Sequence, residues 1–195
     1  MSVFSYLKPV VVLSLMCVGW NSFGADEEKS APKKRIPSLS EYMASNGKEV
    51  VTRDEWGATC KLNDKDSCVE ADQVDRADGA KKCVKTRLIV QHTVGYKDDA
   101  KSTARYVEKS HSKWAAPGYH YGIDGNQVFL MRPTFWQPSC ISGENKNCVA
   151  VGLFGCFTKK DSEASARELT PEKKGEFIDT LASLAAYHIF VLLKK

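Results

Sequence analysis

The chain has 195 residues, of which 43% are hydrophobic and 27% charged, and its formal net charge at pH 7 is +4. This length suits one ordinary hydrophobic core and is too short for two comfortable domains, so one globular domain is expected. The Lys and Arg residues are spread along the chain without a dense basic block, which excludes the usual signature of a nucleic-acid-binding protein.

The N-terminal residues have the pattern of an export signal. Lys8 precedes an apolar run from Val10 to Val18, which is well short of the roughly 20 residues that a membrane-spanning helix needs. Ser22 and Gly24 are small residues at the two positions that a signal peptidase recognises. We therefore expect a signal peptide over residues 1–25 and a mature protein that is secreted or periplasmic, with no membrane attachment. A retained N-terminal anchor is the alternative.

The cysteine content agrees with export. Of the seven cysteines, Cys17 would leave with the signal peptide. The others form an even set, as disulfides in an oxidising compartment require: Cys60, Cys68, Cys83, Cys140, Cys148 and Cys156. Short loops favour Cys60 with Cys68 and Cys140 with Cys148, leaving Cys83 with Cys156, although sequence does not fix the pairing. A zinc cluster is the competing interpretation, but no C-x-x-C spacing occurs.

The residues before the first strong apolar pattern are mostly polar. Residues 26–48 are predicted to be a flexible leader, with a short helix from Ser38 to Asn46 that Ser38 caps. The folded domain is expected over residues 49–190. Trp56 follows a turn, and its indole is best explained as part of the core or as a lid over the sheet edge. Residues 60–85 predict an irregular loop.

The clearest strand lies between Arg87 and Tyr96. Leu88, Ile89 and Val90 form a short apolar, largely β-branched run that predicts a buried central strand. Gln91, His92 and Thr93 follow at its end, on rigid backbone at the rim of a sheet, where binding sites tend to lie. The alternative is that these polar side chains merely face water.

A helix is predicted after this strand, capped by Asp98 or Asp99. The residues that recur at helical spacing are Ala100, Ala104, Val107, His111 and Trp114. This spacing places His111 and Trp114 on the buried or cleft-facing side. For His111, a packed histidine bonded to a carbonyl is the competing interpretation.

Residues 118–130 predict a β-hairpin around Asp124 and Gly125. Strand alternation would put Tyr119 and Tyr121 on one face and His120 on the other. Arg132 follows the hairpin.

The C-terminal part supplies a second apolar strand, from Cys148 to Phe157, and a final helix. Thr170, Pro171 and Glu172 have the residue types of a helix start, and the helix is expected to run to about Tyr187. Its apolar side is predicted to consist of Phe177, Ile178, Leu181, Leu184 and Ala185. The order of elements predicts an α/β fold, a single domain with a central mixed β-sheet flanked by helices.

Several of these motifs occur together and in one order over residues 50–187. They are Arg53-x-x-Trp56-Gly57-Ala58, Val90-Gln91-His92-Thr93, Trp114, the run Gly118 to Gly125, Arg132, Asn145, the strand Val149 to Gly155, and Leu169-Thr170-Pro171-Glu172. In this arrangement the chain resembles the peptidoglycan recognition protein family, which shares its fold with zinc N-acetylmuramoyl-L-alanine amidases of the phage-lysozyme type. The resemblance implies a groove that takes the glycan-linked stem peptide of peptidoglycan.

The resemblance also implies where a catalytic zinc would be held. Catalytic members use two His and one Cys or Asp, with a fourth position left for water. The first ligand position corresponds here to Gln91, and an amide is a weak zinc ligand. The other two ligands belong to Gly-His-Arg and Cys-Pro-Gly segments after the last helix, and this sequence reaches Lys195 before either. From His188 onward it departs from the family, so the fold is expected to be incomplete at its C-terminus, through truncation or a frameshift.

Other positions are kept or changed. The tyrosine that assists the transition state in amidases corresponds to Tyr119, and the family asparagine to Asn145. Cys140 replaces a histidine and Ala150 a glycine. The four histidines are not expected to rebuild a metal site, because His92 would point to the opposite face from Gln91.

The expected groove residues are Gln91, His92, His111, Trp114, Tyr119, Tyr121, Arg132 and Asn145. Aromatic faces would pack on sugar rings and stem-peptide methyl groups, and Arg132 would pair with a stem-peptide carboxylate. The competing roles are structural: Arg132 would anchor the following loop and Tyr121 would be core.

The predicted function is a secreted module that binds peptidoglycan or muropeptides without catalysis and without a cofactor. The alternative is a zinc-dependent N-acetylmuramoyl-L-alanine amidase that cleaves the lactyl amide between muramic acid and the stem peptide, with Zn²⁺ as cofactor and Tyr119 as catalytic residue. A third possibility is a protein-binding member whose groove is blocked by the loop from Cys60 to Cys83.

Overall fold

The computed structural model describes residues 11–14, 35–59, 85–93, 95–110, 116–134, 136, 138–140, 145–157 and 170–193. Within these ranges the strands are β1 (Val11–Ser14), β2 (Glu49–Val51), β3 (Arg87–His92), β4 (Tyr121–Asp124), β5 (Gln127–Leu130) and β6 (Cys148–Leu153). The helices are α1 (Leu39–Ser45), α2 (Arg53–Trp56), α3 (Ala100–Lys109) and α4 (Pro171–Leu193), with a 3₁₀ turn at Asn145–Asn147.

The six strands form one mixed sheet in the order β1-β3-β6-β4-β5-β2. Its centre is parallel, because β6 pairs in parallel with both β3 and β4. The predicted hairpin is confirmed: β4 and β5 are antiparallel, and the turn contains Gly125 at φ 58°, a backbone conformation that glycine adopts without strain. The predicted α/β class, with a mixed central sheet in a single domain, is confirmed.

Alternating residues of β6 divide the core between the two faces of the sheet. Val149 and Val151 belong to a cluster that includes Met43 of α1 and Leu184 of α4. On the other face, a second cluster joins residues of α2, α3 and β5 around Phe154. We call these the α4 face and the α3 face. Because β6 is apolar on both sides, helices cover both sides of the sheet, as a parallel centre requires.

The N-terminal part of the structure differs from the expected boundaries. Met43 of α1 is fully buried in the core, so packed structure begins inside the range expected to be a flexible leader. The helix there forms because Ser38 and Glu41 make a reciprocal capping box.

Strand β1 lies within the apolar run expected to be the signal-peptide core. It pairs antiparallel with the outer edge of β3, from Val11 opposite Val90 to Ser14 opposite Arg87. Removal of residues 1–25 would therefore take away this pairing and leave the outer edge of β3 with open backbone groups.

Trp56 takes the core position and not the lid position. Its side chain is fully buried, and its indole N–H donates to the carbonyl oxygen of Leu130 over 2.9 Å. Helix α2 presents it there through a capping box between Thr52 and Glu55 and a left-handed Gly57 at the C-terminal end.

The last helix differs from the sequence prediction in length and in one face residue. It continues past Tyr187 to Leu193. Phe177 and Leu184 are buried, but Ile178 is 65% exposed. One residue is about 100° around a helix, so Ile178 cannot share the face that Phe177 presents to the sheet.

None of the described helices is both long enough and apolar enough to cross a membrane.

One buried histidine, His120, and one half-buried histidine, His188, make stability depend on pH. Burial lowers the pKa of His120 to about 3 and that of His188 to about 4. At pH values above 6.5, the pKa of histidine in the unfolded chain, both histidines are neutral in the folded and the unfolded chain. Their full contribution to stability is therefore present. Below it the unfolded chain binds protons that the folded chain does not, and stability is lost until the folded pKa values are reached.

We expect the free energy of unfolding to fall between pH 7 and pH 5 by about 2 kcal/mol from His120 and somewhat less from the partly exposed His188. The measurement is urea unfolding at several pH values. The control variant is His188→Phe, which keeps a ring beside Tyr121, 5.5 Å away between centroids, but cannot titrate. Its stability should change less steeply with pH, and an unchanged slope would contradict the assignment.

Candidate functional site

Gln91, near the end of β3, belongs to a row of paired residues that runs across three neighbouring strands of the sheet. Its register partner on β6 is Gly152, and the partner of Gly152 on β4 is Gly122. Paired residues in parallel strands point to the same side, and a side chain at Gly122 would meet Phe154 of the α3 face. The amide of Gln91 therefore projects on the α3 face, beside two residues that have no side chain.

Tyr119 lies over the middle of this row. A Cβ placed on Gly152 would approach the ring of Tyr119 to 2.9 Å, so the glycine allows the ring to lie flat against the strand. Adjacent strands are about 4.8 Å apart, which makes Tyr119 an immediate neighbour of Gln91. Burial, and then the nearby Cys140, raises the pKa of Tyr119 to about 12, so its hydroxyl stays neutral at physiological pH.

The polar groups of these two residues are available to a ligand. Among the described residues, neither the Gln91 amide nor the Tyr119 hydroxyl has a hydrogen-bond partner, and both side chains are only partly buried. An amide carries two donors and one acceptor, and a neutral phenol can donate and accept. Together they can bind peptide or amide groups of a ligand on the α3 face.

Arg132 is buried below this face. Its side chain is 4% exposed, and Nη2 donates to the carbonyl oxygen of Ala116 over 2.6 Å. Burial lowers the pKa of Arg132 to about 10, and it remains charged at neutral pH. Arg132 thus anchors the segment that precedes Tyr119, whereas the structural role considered in the sequence analysis was to anchor the loop that follows Arg132.

Asn145 and two cysteines form the neighbouring rim. The Oδ1 atom of Asn145 accepts from the backbone N–H of Cys140 over 3.2 Å and lies 3.8 Å from its sulfur. The Cys148 thiol donates to the carbonyl oxygen of Asn145 over 3.6 Å. Cys140 is close enough to Tyr119 and Arg132 to affect both pKa values. Cys140 therefore belongs to this cluster although it was absent from the expected groove residues. Its replacement of a family histidine and its favoured pairing with Cys148 were the sequence signals.

Tyr121 does not share the face of Tyr119, so the predicted common face is wrong. Its side chain is 4% exposed in the α4-face core, with its ring 5.5 Å from that of His188. Strand β4 begins only at Tyr121, so residues 119 and 120 lack the regular pleat on which the alternation argument depended. Tyr121 is a core residue, as the competing interpretation stated.

His92 lies on the α4 face, opposite to Gln91. Its ring is 6.1 Å from that of Phe157, which in turn packs against Phe177 of α4. Both of its ring nitrogens are buried and have no hydrogen-bond partner among the described residues. The expected opposition of Gln91 and His92 is present, and His92 is separated from Tyr119 by the sheet.

His120 is a structural histidine. It is fully buried, its Nδ1 accepts from the backbone N–H of Ala150 over 2.8 Å, and its Nε2 lies 2.9 Å from the carbonyl oxygen of Trp136. These partners require the neutral ring with the proton on Nε2. Both nitrogens are thus occupied and cannot bind a metal.

The remaining predicted groove residues, His111 and Trp114, lie outside the described residues, as do Cys60, Cys68 and Cys83.

The residue types at the site do not fit a catalytic zinc. Among the described parts of the chain, no three His, Cys, Asp or Glu side chains converge in a way that could hold a metal ion. At the position implied for the first ligand, Gln91 supplies a neutral amide, whereas zinc sites in proteins use imidazole, thiolate or carboxylate.

Comparisons with known proteins concern mainly the fold. A scan against protein-family models finds no match, and a search of curated proteins finds none either. Wild-type Drosophila PGRP-LB is 21% identical, with a TM-score of 0.50 over 73% of this chain and 74% of that chain. A complex of the ectodomains of peptidoglycan recognition proteins LCa and LCx with bound tracheal cytotoxin matches at 15% identity, with a TM-score of 0.50 over 73% of this chain and 76% of that chain.

These similarities agree with the mixed sheet and its flanking helices. At such low identity these similarities establish the architecture only, and the ligand must be argued from the residues of the site. The chain has the fold of the peptidoglycan recognition proteins.

Proposed function

We propose that this protein is a secreted peptidoglycan-binding module that does not cleave its ligand. The observation that carries this proposal is Gln91, an amide where the resemblance implies the first zinc ligand, facing the same side of the sheet as Tyr119. An amide there is suited to hydrogen bonding and poorly suited to activating a metal-bound water.

The ligand class follows from the chemistry of the α3 face. A stem peptide is rich in amide groups, which match the donors and acceptors of Gln91 and the neutral hydroxyl of Tyr119. The exposed part of the Tyr119 ring can pack on a sugar or on alanine methyl groups. The fold also occurs in ectodomains whose structure contains bound tracheal cytotoxin, which supports a muropeptide as ligand.

Export is part of the proposal. The apolar run from Val10 to Val18 would direct the chain out of the cell, where peptidoglycan is accessible, and would then be removed.

The amidase alternative has one supporting observation. The resemblance makes Tyr119 the counterpart of the transition-state tyrosine, and its neutral hydroxyl could donate to a developing oxyanion. Zn²⁺ would then require ligands from outside the described residues. Metal analysis of the purified protein and an assay for stem peptide released from cell walls separate the two functions: bound zinc with released peptide would favour the amidase.

The direct test is a pull-down of the mature protein on insoluble peptidoglycan, followed by titration with soluble muropeptides. We expect retention on the polymer and a measurable Kd without release of stem peptide. Absence of binding to both forms would refute the proposal.

Tyr119→Phe should weaken muropeptide binding roughly 5- to 20-fold, because it removes one hydrogen bond to the ligand and keeps the ring. Calorimetric titration measures this change. The matched control is Tyr106→Phe, which removes the hydroxyl of a tyrosine that is 42% exposed on α3, and its Kd should stay at the wild-type value. Equal Kd values for Tyr119→Phe and wild type would remove Tyr119 from the site.

A further inference from the structure

The two cysteines that flank Asn145 are in contact. Cys140 and Cys148 share a side-chain hydrogen bond, and each also contacts Asn145, Cys140 through the side-chain oxygen and Cys148 through the backbone carbonyl. Seven residues separate them in sequence. One cysteine precedes the 3₁₀ turn at Asn145–Asn147 and the other begins β6, so a bond between them would close the loop that carries Asn145.

The two sulfurs differ in access and in acidity. Cys148 is fully buried, whereas Cys140 is partly exposed. The hydrogen bond with Cys140 lowers the pKa of the Cys148 thiol, and the charges of Lys85 and Arg87 lower it further against the opposing effect of burial. The accessible Cys140 can therefore meet an external disulfide first, and the adjacent Cys148, whose thiolate is favoured, can attack the Cys140 sulfur in the second step.

We propose that Cys140 and Cys148 are a reversible thiol–disulfide pair that fixes Asn145 at the rim of the α3 face. The oxidant is an external disulfide, either glutathione disulfide or the disulfide of an oxidoreductase. The Cys140 thiolate attacks it, forms a mixed disulfide and releases one thiol. The Cys148 thiolate then attacks the Cys140 sulfur and displaces the second thiol. Two protein thiols are oxidised to one disulfide while one external disulfide is reduced to two thiols.

The bond would change how firmly Asn145 is held. In the dithiol form the Asn145 Oδ1 atom accepts a hydrogen bond from the Cys140 N–H over 3.2 Å, and no covalent bond joins residues 140 and 148. A covalent link between residues 140 and 148 reduces the conformational freedom of everything between them. A preorganised Asn145 would bind a muropeptide more tightly, a consequence that rests on the proposed function.

The experiment equilibrates the purified mature protein with glutathione buffers of graded redox poise, alkylates the remaining thiols and maps the peptides by mass spectrometry. We expect one linked peptide that joins Cys140 to Cys148 under oxidising conditions and two alkylated peptides under reducing conditions. Full alkylation of both residues in every buffer, or linkage to other cysteines, overturns the proposal.

Single variants test the order of the two attacks. Cys148→Ser should trap glutathione on Cys140, because the second thiol is missing. Cys140→Ser should give no adduct on Cys148, because that sulfur is buried. Cys156→Ser is the matched control, since this buried cysteine follows the C-terminal end of β6, and the linked peptide should still form. An adduct on Cys148 and none on Cys140 would contradict the assigned order.

Hydrogen exchange at the Cys140 amide reports on Asn145 directly and needs no ligand. Exchange should be slower in the oxidised protein, and equal rates in both states would refute the positioning role. Peptidoglycan binding, measured in parallel, should weaken roughly fivefold on reduction. If the linked peptide forms and exchange slows but neither state binds peptidoglycan, the proposed function fails and the thiol pair stands. If peptidoglycan binds and no linked peptide forms, the thiol pair is refuted and the proposed function stands.

Discussion

Replacing Glu108 by alanine is expected to lower the free energy of unfolding by about 3 to 5 kcal/mol. The carboxylate of Glu108, on α3, is 3.0 Å from the Arg53 guanidinium on α2, and the two side chains are 7% and 14% exposed. Burial lowers the pKa of Arg53, and Glu108 opposes that lowering. Without the Glu108 carboxylate, a nearly buried positive charge loses the largest of the attractions that oppose this lowering, while the smaller one from Asp54 stays.

The same carboxylate has a second role. Its Oε2 atom accepts from both the backbone N–H and the hydroxyl of Thr59, each over 2.8 Å. Loss of Glu108 would remove the acceptor of both donors, which adds to the loss in the free energy of unfolding. Arg53 also donates to the carbonyl oxygen of Met131, the residue before Arg132, so the network connects α2 and α3 with the segment beside the site.

Urea unfolding of Glu108→Ala and of the double variant Arg53→Met/Glu108→Met separates charge from packing. If the cost arises from the uncompensated guanidinium, the double variant should recover much of the lost stability, because two apolar side chains of similar length replace the pair. A double variant that is as unstable as the single one, or less stable, would show that the hydrogen bonds to Thr59 and Met131 dominate.

Replacing Gly122 by alanine is expected to cost about 3 kcal/mol. A Cβ at this position would be 2.3 Å from the Phe154 ring and 3.1 Å from the sulfur of Met131. Phe154 is fully buried, and its ring packs 5.1 Å from that of Phe129, so it has little room to move. The backbone at Gly122 is ordinary strand, and the cost is therefore one of overpacking.

Gly175→Ala is the matched control. Gly175 lies in α4, and a Cβ there would meet nothing within 4 Å. Alanine is favoured over glycine inside a helix by about 1 kcal/mol, so this variant should be more stable than wild type. Thermal and urea unfolding of both variants give the comparison, and a Gly122→Ala protein of wild-type stability would show that the Phe154 ring can shift.

The two expected losses concern the support of the candidate site. Gly122 is in the same cross-strand row as Gln91, and the Arg53–Glu108 pair fixes the helices of the α3 face. Variants at these positions should therefore reduce ligand binding through lost structure, whereas Tyr119→Phe should reduce it at unchanged stability. The contrast between a changed Tm and a changed Kd distinguishes support from contact.

Local patterns predicted those elements whose signals are local. The apolar run from Leu88 to Val90 gave a strand, Asp99 caps α3 as one of the two expected cap residues, and the turn residues around Gly125 gave the hairpin. These features depend on backbone propensity and on hydrogen bonds between near neighbours in sequence. A few adjacent residues determine both. The order of the motifs was enough to predict the α/β sheet with helices on both faces.

The sequence by itself determined the fold class, the position of Gln91 at the end of β3 and the placing of His92 on the opposite face. Only the tertiary structure decided that Tyr121 is core while Tyr119 covers Gly152, that Arg132 is buried against Ala116, and that Cys140 belongs to the site cluster. Strand alternation applies only within regular strand, and the contacts of the irregular segments depend on residues distant in sequence. The face on which such a side chain lies is therefore settled by packing across the sheet.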